Sequence, residues 1–453
     1  MRRDTCWLSA VLSVLVLSIF SAGLACHALT PSPWDQIRFK HKWDAVPDNW
    51  VSLGPPPNGT TIKLHIALKA NREKALVDAL HEVSHPRHPK HVLFTGITPP
   101  LEAYSRVLLR RFRYGAHLSK EQVAQLVALH PDTLELVSSW LKYNGLPQSS
   151  ISTTHGGGWL TIAGVPVSQA NKLLGASYEL DYHAKANDTI LRTVSYALPA
   201  ALHKHVNTIA PTTVFTSANI LQQTAFGHGG EAAPANVTSG GPSDVLSRRK
   251  SFFAEPSELR WLYRMPFDDP APTDRNKLGI AGFKNESPDQ DDLHQFITKY
   301  RSDVDAVAAS TRIMTVVPVN GGVKAQDAPG RRANTDTQYS VALAFPIQIE
   351  YYTIGGRGFV SYDGPEDGDK YLALLRYMID LKNVPWTISV PYFIRELDLP
   401  SQYAKSLCDL YGILGARGVS ILVASGDEAV GRLTKGQCLK FSNSFPASCT
   451  CDS

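Results

Sequence analysis

The stretch Val419-Ser-Ile-Leu-Val-Ala-Ser-Gly-Asp427 decides the fold class of the C-terminal half of the chain. Its apolar run is too short for a typical helix and lacks polar alternation, which indicates a strand buried on both faces. Leu278-Gly-Ile-Ala-Gly-Phe283 is a second run of this kind. Further strands are predicted at 313–317 and 347–352, and helices at 291–300, 371–381 and 403–414. Apolar strands that alternate with helices predict a parallel sheet covered on both faces.

A separate α+β unit is predicted for residues 35–200. Predicted strands and helices are mixed along this segment. Thr61-Ile-Lys-Leu-His-Ile-Ala-Leu68 alternates polar and apolar residues, which predicts a half-buried strand. Ser119-Lys-Glu-Gln122 is a capping box that begins a helix. Residues 201–257 contain clustered Gly and Pro and are predicted to form a flexible, exposed linker.

The composition of the chain excludes several classes of protein. Its 453 residues are enough for more than one domain, and 43% of them are hydrophobic, which argues against a largely disordered chain. The net charge is only +4, which is too weak over this length to indicate nucleic-acid binding.

The N-terminus carries the pattern of a secretory signal peptide over residues 1–28. Arg2 and Arg3 precede an apolar run from Trp7 to Leu24, and small residues follow. A membrane anchor is the alternative interpretation of this run. No other stretch reaches 18 apolar residues, so we expect a secreted, extracellular protein without a membrane contact after signal cleavage.

Sequons and cysteines agree with secretion. The predicted N-glycosylation sites are Asn58, Asn187 and Asn236, and the late cysteines that an oxidising compartment allows to pair are Cys408, Cys438, Cys449 and Cys451. Arg248-Arg249-Lys250 lies within the linker, where it is either a protease processing site or a solvated charge run.

Several blocks of the sequence, in order, resemble the sedolisins, the serine-carboxyl peptidases that include secreted tripeptidyl-peptidases. In residues 35–200 the run Tyr114-Gly-Ala-His-Leu-Ser-Lys-Glu-Gln-Val123 is similar to the activation prodomain of these zymogens. The blocks that resemble the catalytic domain are Leu278–Phe283, Asn334-Thr-Asp-Thr-Gln-Tyr339, Gly415-Ala-Arg-Gly-Val-Ser420, Ala424-Ser-Gly-Asp427 and Phe445-Pro-Ala-Ser-Cys449. The resemblance implies a ferredoxin-like prodomain, with an insertion at about 90–112, and a subtilisin-like doubly wound parallel-sheet domain over 258–453.

The resemblance also implies a defined chemistry. In the family a Ser is the nucleophile, a Glu is its general base, and an Asp four residues later on the same helix face holds that Glu. A second Asp, protonated, donates a hydrogen bond to the oxyanion. A calcium site lies near the C-terminus.

This chain departs from the family at the residues that carry that chemistry. Asp336 matches the orienting Asp, but Arg332 occupies the position of the Glu, and a guanidinium has no acceptor for the proton of the nucleophile. Ile394 occupies the position of the oxyanion Asp, with Asp398 as a neighbouring substitute in another register. The Gly-Thr-Ser block of the nucleophile does not occur in residues 258–453.

These departures lead to three expectations. The catalytic domain is expected to be truncated after Cys449, with no metal or other cofactor bound in this chain. Two explanations of the departures remain open. One is a faulty gene model with retained intron sequence and a lost exon, and the other is a truly degenerate or regulatory homologue. The family function is acid-acting, serine-type hydrolysis of peptides or proteins, but this chain is expected to be inactive. The alternative is a non-catalytic, prodomain-type binding module that inhibits or chaperones a homologous active sedolisin.

Overall fold

The computed structural model describes residues 32–71, 73–84, 115–153, 158–184, 187–216, 255–265, 276–356, 369–426 and 443–449. These residues form two packed units. The N-terminal unit comprises the described residues up to 216, and the C-terminal unit comprises those from 255 onward. The predicted signal peptide and the insertion at about 90–112 lie outside the described residues.

The N-terminal unit contains nine strands and four α-helices among its described residues. Its strands are β1 (Ile37–Lys42), β2 (Trp50–Gly54), β3 (Thr61–Leu68), β4 (Ile151–Thr153), β5 (Trp159–Pro166), β6 (Glu179–His183), β7 (Asp188–Arg192), β8 (Ser195–Pro199) and β9 (Val206–Ala210). Its helices are α1 (Glu73–Ser84), α2 (Lys120–Leu126), α3 (Pro131–Tyr143) and α4 (Val167–Leu174). The capping box predicted at Ser119 and Gln122 is present at the start of α2.

A four-stranded antiparallel sheet in the order β4-β5-β3-β9 is the centre of this unit. Leu64 and Ile66 of β3 point from one face of the sheet into a core that includes Val137 and Trp140 of α3. Strand β9 lies beyond residue 200, where the sequence analysis placed the end of this unit, so the packed unit continues into the segment that was predicted to be linker. Two smaller sheets, β1-β8 and β2-β6-β7, complete it.

The C-terminal unit is built mainly from parallel strands and intervening helices. Its strands are β10 (Lys277–Gly282), β11 (Met314–Val319), β12 (Gln348–Ile354), β13 (Thr387–Val390), β14 (Ile394–Arg395), β15 (Ser420–Val423) and β16 (Ser444–Phe445). Its longer helices are α5 (Pro256–Leu262), α6 (Gln290–Tyr300), α7 (Arg331–Ala344), α8 (Lys370–Asp380) and α9 (Ser401–Ala416). A π-helical stretch, Ala309–Ile313, leads into β11.

The predicted parallel sheet is present, in the order β11-β12-β10-β13-β15. Its strand order reverses at β10, the first strand of the sheet, which is therefore central. Ile280 of β10 packs toward α6 and α7 on one face, and Ala281 packs toward α8 and α9 on the other. In sheets of this kind ligands bind at the carboxyl ends of the strands, beside the point where the order reverses.

The two units share a hydrophobic core. Ala67 of β3 and Trp159 of β5 belong to the same cluster of buried side chains as Leu407 and Leu410 of α9. Strand β3 was predicted to be half-buried, but its second face is covered by the C-terminal unit, and even His65 on that face is only 1% exposed. No helix within the described ranges is long and apolar enough to cross a membrane.

Candidate functional site

The candidate site lies where β10 ends and α7 begins. Strand β10 ends at Gly282 in the centre of the sheet, and residues 283–286 follow it. Helix α7 begins at Arg331, directly after Gly330. This is the carboxyl edge of the sheet at which the strand order reverses.

Arg332 and Asp336 lie one turn apart on α7, as their spacing predicts. Burial raises the pKa of Asp336 to about 6, whereas the Arg332 charge acts to lower it and the Glu286 charge to raise it. The buried Oδ2 atom of Asp336 has no hydrogen-bond partner within the described part of the chain. The carboxyl group of Asp336 therefore holds its proton up to about pH 6, unlike an ordinary aspartate.

Glu286 belongs to the same cluster, although the sequence analysis did not assign it a role. Its Oε2 atom accepts hydrogen bonds from the backbone N–H groups of Arg332 at 3.3 Å and Ala333 at 3.4 Å. A Cβ atom at Gly330 would lie 2.2 Å from the same oxygen, so this position has no room for a side chain. The carboxylate thus caps the positive end of α7 and adds a second negative charge near Asp336. The sequence feature that could have indicated a role for Glu286 is its position, four residues after the end of the buried strand β10.

Aromatic side chains form the wall behind these charges. Phe283 and Tyr392 stack with their ring centroids 4.7 Å apart. The Tyr351 side chain lies over Gly282, where an added Cβ would be 2.5 Å from its hydroxyl oxygen. Burial raises the pKa of Tyr351 and of Tyr392, so both phenols remain neutral in the working range of a protein.

Lys370 holds two strand ends of the sheet together at this edge. Its buried ammonium group donates to the carbonyl of Phe283 at 2.6 Å, the carbonyl of Ile354 at 2.9 Å and Oδ1 of Asn285 at 3.2 Å. Asn285 has a positive φ of 54°, and it immediately precedes Glu286. Lys370 therefore fixes the backbone that carries the Glu286 carboxylate.

Comparison with known proteins shows which proteins this chain is similar to. Residues 110–215 match the model of the pro-kumamolisin activation domain. Tripeptidyl-peptidase SED2 of Arthroderma otae is 26% identical over 96% of this chain and 70% of its own length. A probable tripeptidyl-peptidase SED2 of Trichophyton verrucosum is 27% identical over 93% of this chain and 67% of its own length. Over most of its length the chain is therefore similar to sedolisin-type tripeptidyl-peptidases.

The match to these sedolisins spans about two thirds of their length. Tripeptidyl-peptidase SED4 of Arthroderma otae gives the same result, with 27% identity over 89% of this chain and 63% of its own length. The match to the activation domain, residues 110–215, covers strands β4, β5 and β9. Strand β3 lies before its first residue. The matched segment therefore includes the four-stranded sheet except β3.

The structure places Ile394, the residue predicted at the oxyanion position of the sedolisins, in strand β14. Its side chain is 3% exposed, and it pairs with Phe445 of β16. An isoleucine side chain has no hydrogen-bond donor. Asp398 is engaged elsewhere, because both of its carboxylate oxygens accept from Arg395 at 2.9 Å.

No group of three or more His, Cys, Asp or Glu side chains in the described ranges is arranged to hold a metal ion. Cys408 of α9 and Cys449 form a disulfide, which is one of the pairings that the sequence allowed. Cys438 and Cys451 lie outside the described residues.

Two of the three predicted N-glycosylation sites lie within the described residues. Asn58 and Asn187 are both exposed, Asn58 in the turn before β3 and Asn187 in the turn between β6 and β7. Asn236 and the processing candidates Arg248, Arg249 and Lys250 lie outside the described residues.

A buried polar contact joins the two units beside the shared core. Nδ1 of His65 lies 2.9 Å from Nη1 of Arg376 on α8 and 2.9 Å from Oγ1 of Thr161. Arg192 of β7 is also buried, and its Nε donates to the carbonyl of Val214 at 2.6 Å. Burial lowers the pKa of Arg192, and the nearby charge of Asp369 raises it.

Proposed function

We propose that this chain is a secreted sedolisin-type protein whose peptide-hydrolysing site is disabled by Arg332. In this proposal the N-terminal unit is a ferredoxin-like activation domain, and the C-terminal unit is part of a subtilisin-like peptidase domain. The names of the relatives support proteolysis as the ancestral activity. Glycosylation at Asn58 and Asn187 and the lack of a bound metal or other cofactor in this chain belong to the proposal as well.

The observation that carries it is the position of Arg332 one turn before Asp336 on α7. A general base must accept a proton, and a guanidinium remains protonated throughout the pH range of proteins. The carboxylate of Glu286, whose charge acts on Asp336, is bound to the N-terminal backbone of α7. The Asp336 carboxyl is thus adjacent to a fixed cation rather than to a second carboxylate that it could orient.

Activity measurements on the secreted full chain test this proposal. A fluorogenic tripeptide amide is incubated with the chain between about pH 3 and 6, where a carboxylate base would titrate. We expect no turnover above that of a chain with Asp336→Ala. Turnover that the Asp336→Ala variant lacks would show that the site works without a glutamate at position 332.

A second function is favoured by the close packing between the two units. The N-terminal sheet and α1 cover α9, so the activation domain has a complete binding surface for a peptidase domain. We infer that, once the linker is cut at Arg248–Lys250, this surface can bind and inhibit an active sedolisin. The test compares inhibition of such a peptidase by the full chain before and after cleavage at that position. Equal and negligible inhibition by both forms would exclude the binding-module function.

A further inference from the structure

Three segments of the N-terminal unit converge beside the end of strand β3. Lys69 follows this strand, and its N–H donates to the carbonyl of His205 at 2.9 Å. One residue further on, Ala70 forms a β-bridge with Leu129, just before helix α3. Oγ1 of Thr133 in the first turn of α3 lies 2.8 Å from Nδ1 of His205. The end of β3, the turn before β9 and the start of α3 therefore meet at one place.

Basic side chains are concentrated at this place. They come from the three segments and from the neighbouring strand β1, and together they are named the basic cluster: Lys40, Lys69, His130, Lys204 and His205. Lys40, Lys69 and His205 are half-buried. Lys204 and His130 are exposed. The cluster is therefore anchored in the fold on one side and open to water on the other.

Lys40 of β1 reaches the turn before β9 with its ammonium group. Its Nζ donates to the carbonyl of Val206 at 2.6 Å and to the carbonyl of His203 at 3.5 Å. Burial lowers the pKa of Lys40 to about 8, and the charge of Lys69 acts in the same direction. No carboxylate within the described residues bonds to this ammonium group. An ammonium group has three N–H donors, so at least one of those on Lys40 is left for a ligand.

The imidazole of His205 lies in the same excess of positive charge. Burial lowers its pKa, and three neighbouring charges of the cluster lower it further, those of Lys204, His130 and Lys69. The charge of Asp132 acts in the opposite direction. Nδ1 of the ring is already engaged with α3, so Nε2 is the nitrogen that can donate to a ligand when the ring is protonated.

Asp132 does not neutralise the basic cluster. Its carboxylate pairs with His130 at 3.4 Å, and its side chain is 77% exposed, so water screens its charge. Lys40, Lys69 and Lys204 carry three positive charges against this one negative charge, which leaves a net charge of +2 while both histidines are neutral. A ligand with two negative charges matches this excess.

We propose that the basic cluster binds a dianionic tetrahedral oxyanion, a sulfate or phosphate group. Lys69 is at the centre of the site, because its charge acts on both Lys40 and His205. Lysine ammonium groups are pure donors, and charge-assisted hydrogen bonds to oxyanions are among the strongest that side chains form. Because one side of the cluster is open to water, the group can be a free ion or an ester on a larger molecule. This inference is independent of the function proposed for the peptidase site.

Isothermal titration calorimetry of the full chain with sodium sulfate tests the site. Chloride keeps the ionic strength constant, because screening alone weakens such binding. Lys69→Gln keeps the backbone bond to His205 but removes the central charge, and we expect its affinity for sulfate to fall at least tenfold. Lys204→Gln is expected to lose several-fold. The matched control is Lys172→Gln on the exposed face of α4, which should bind as the wild type does. Equal affinities in all three variants, or no binding by the wild type, would overturn the proposal.

The pH dependence of binding gives a second, independent test. An anion beside His205 raises the pKa of this ring, and by linkage the protonated site binds the anion more tightly by the same factor. Sulfate remains a dianion over the range used, so the change in affinity belongs to the protein. We expect sulfate to bind about tenfold more tightly at about pH 5 than at about pH 8. The pKa is followed by NMR of chains with labelled histidine, and His205→Gln assigns the resonance. A pKa of His205 that saturating sulfate leaves unchanged would contradict the site.

A sugar phosphate tests which kind of molecule carries the group. Glucose 6-phosphate is a dianion at about pH 7.5, because the second pKa of a phosphate monoester is about 6. Lys204 and His130 lie on the open side, so we expect this ester to compete with sulfate and to lose affinity in Lys69→Gln as sulfate does. Such competition would support a site for esters as well as for free ions. Sulfate binding without competition would refute the ester and assign the site to the free ion.

Discussion

Nδ1 of His65 and Nη1 of Arg376 are 2.9 Å apart across the contact between the two units. A guanidinium can only donate, so Nδ1 must be the acceptor and the imidazole must carry its proton on Nε2. The contact therefore needs a hydrogen-bond acceptor at position 65. A cation in its place would face Arg376 from a position that is only 1% exposed.

The first prediction follows from this requirement. His65→Lys is expected to lower the free energy of unfolding by about 3 kcal/mol or more, because it leaves two cations facing each other in a buried place. His65→Gln retains an acceptor and is expected to cost about 1 kcal/mol or less. Denaturant unfolding of the full chain measures both. Equal losses in the two variants would show that the hydrogen bond to Arg376 is unimportant.

The second prediction concerns the pH dependence caused by Asp336. Its folded-state pKa of about 6 lies above the ordinary value of 3.8, so the folded chain binds this proton more tightly than the unfolded chain does. The contribution of this group to stability therefore rises as the pH falls through 6 and is complete below about 4. We expect Asp336→Asn to remove on the order of 2 kcal/mol from the stability gained between pH 7.5 and 4.

Arg332→Gln provides the companion variant for Asp336. The Arg332 charge lowers the pKa of Asp336, so its removal should raise that pKa further. The midpoint of the stability change then moves to higher pH. An exposed aspartate changed to asparagine, such as Asp291→Asn on α6, is the control and should leave the pH profile as it is.

The third prediction concerns the close approach between Gly282 and Tyr351. Gly282→Ala puts a methyl group within 2.6 Å of ring atoms of a tyrosine that is 1% exposed. Such overpacking in a core costs about 1–3 kcal/mol. Calorimetric melting is expected to show this loss, and the double variant Gly282→Ala/Tyr351→Leu should lose less than the sum of the single variants. Additive losses would mean that the two residues are not in contact.

The fourth prediction concerns the disulfide between Cys408 and Cys449, which are 41 residues apart in the sequence. A link over a loop of this length restricts the unfolded chain and contributes about 3–4 kcal/mol. Cys408→Ser/Cys449→Ser is expected to lower the stability of the chain by an amount of that size. Mass spectrometry of the unreduced chain should recover a peptide pair that contains these two cysteines. Its absence would contradict the pairing.

The sequence predicted the parallel sheet because strands such as β10 and β12 are buried by helices that lie near them in the chain. Leu278–Phe283 and Val419–Ala424 carry this signal locally, and the structure places strands at Lys277–Gly282 and Ser420–Val423. The prediction that the strand at Val419–Ala424 is buried on both faces was wrong, because β15 lies at the edge of the sheet and Leu422 is 60% exposed. The sequence also predicted that Arg332 and Asp336 lie on one face of a helix, because a spacing of four residues determines this.

The sequence could not predict the features that depend on distant segments. The alternation in Thr61–Leu68 indicates one face in water, yet that face is covered by a unit that begins about 190 residues later. Glu286 was overlooked because its role as a cap for α7 depends on the docking of a helix that starts 45 residues further along the chain. The close approach of His117 and Gly418 likewise cannot be predicted from the sequence around either residue alone.

The 311 residues that separate His65 from Arg376 have a consequence for biosynthesis. At a ribosomal speed of about 5–20 residues per second, α8 emerges roughly 15–60 s after β3. During this interval the face of β3 that carries His65 and Ala67 is exposed on the nascent chain without the helices that later cover it. The newly made N-terminal sheet therefore keeps one uncovered face until translation has passed α9.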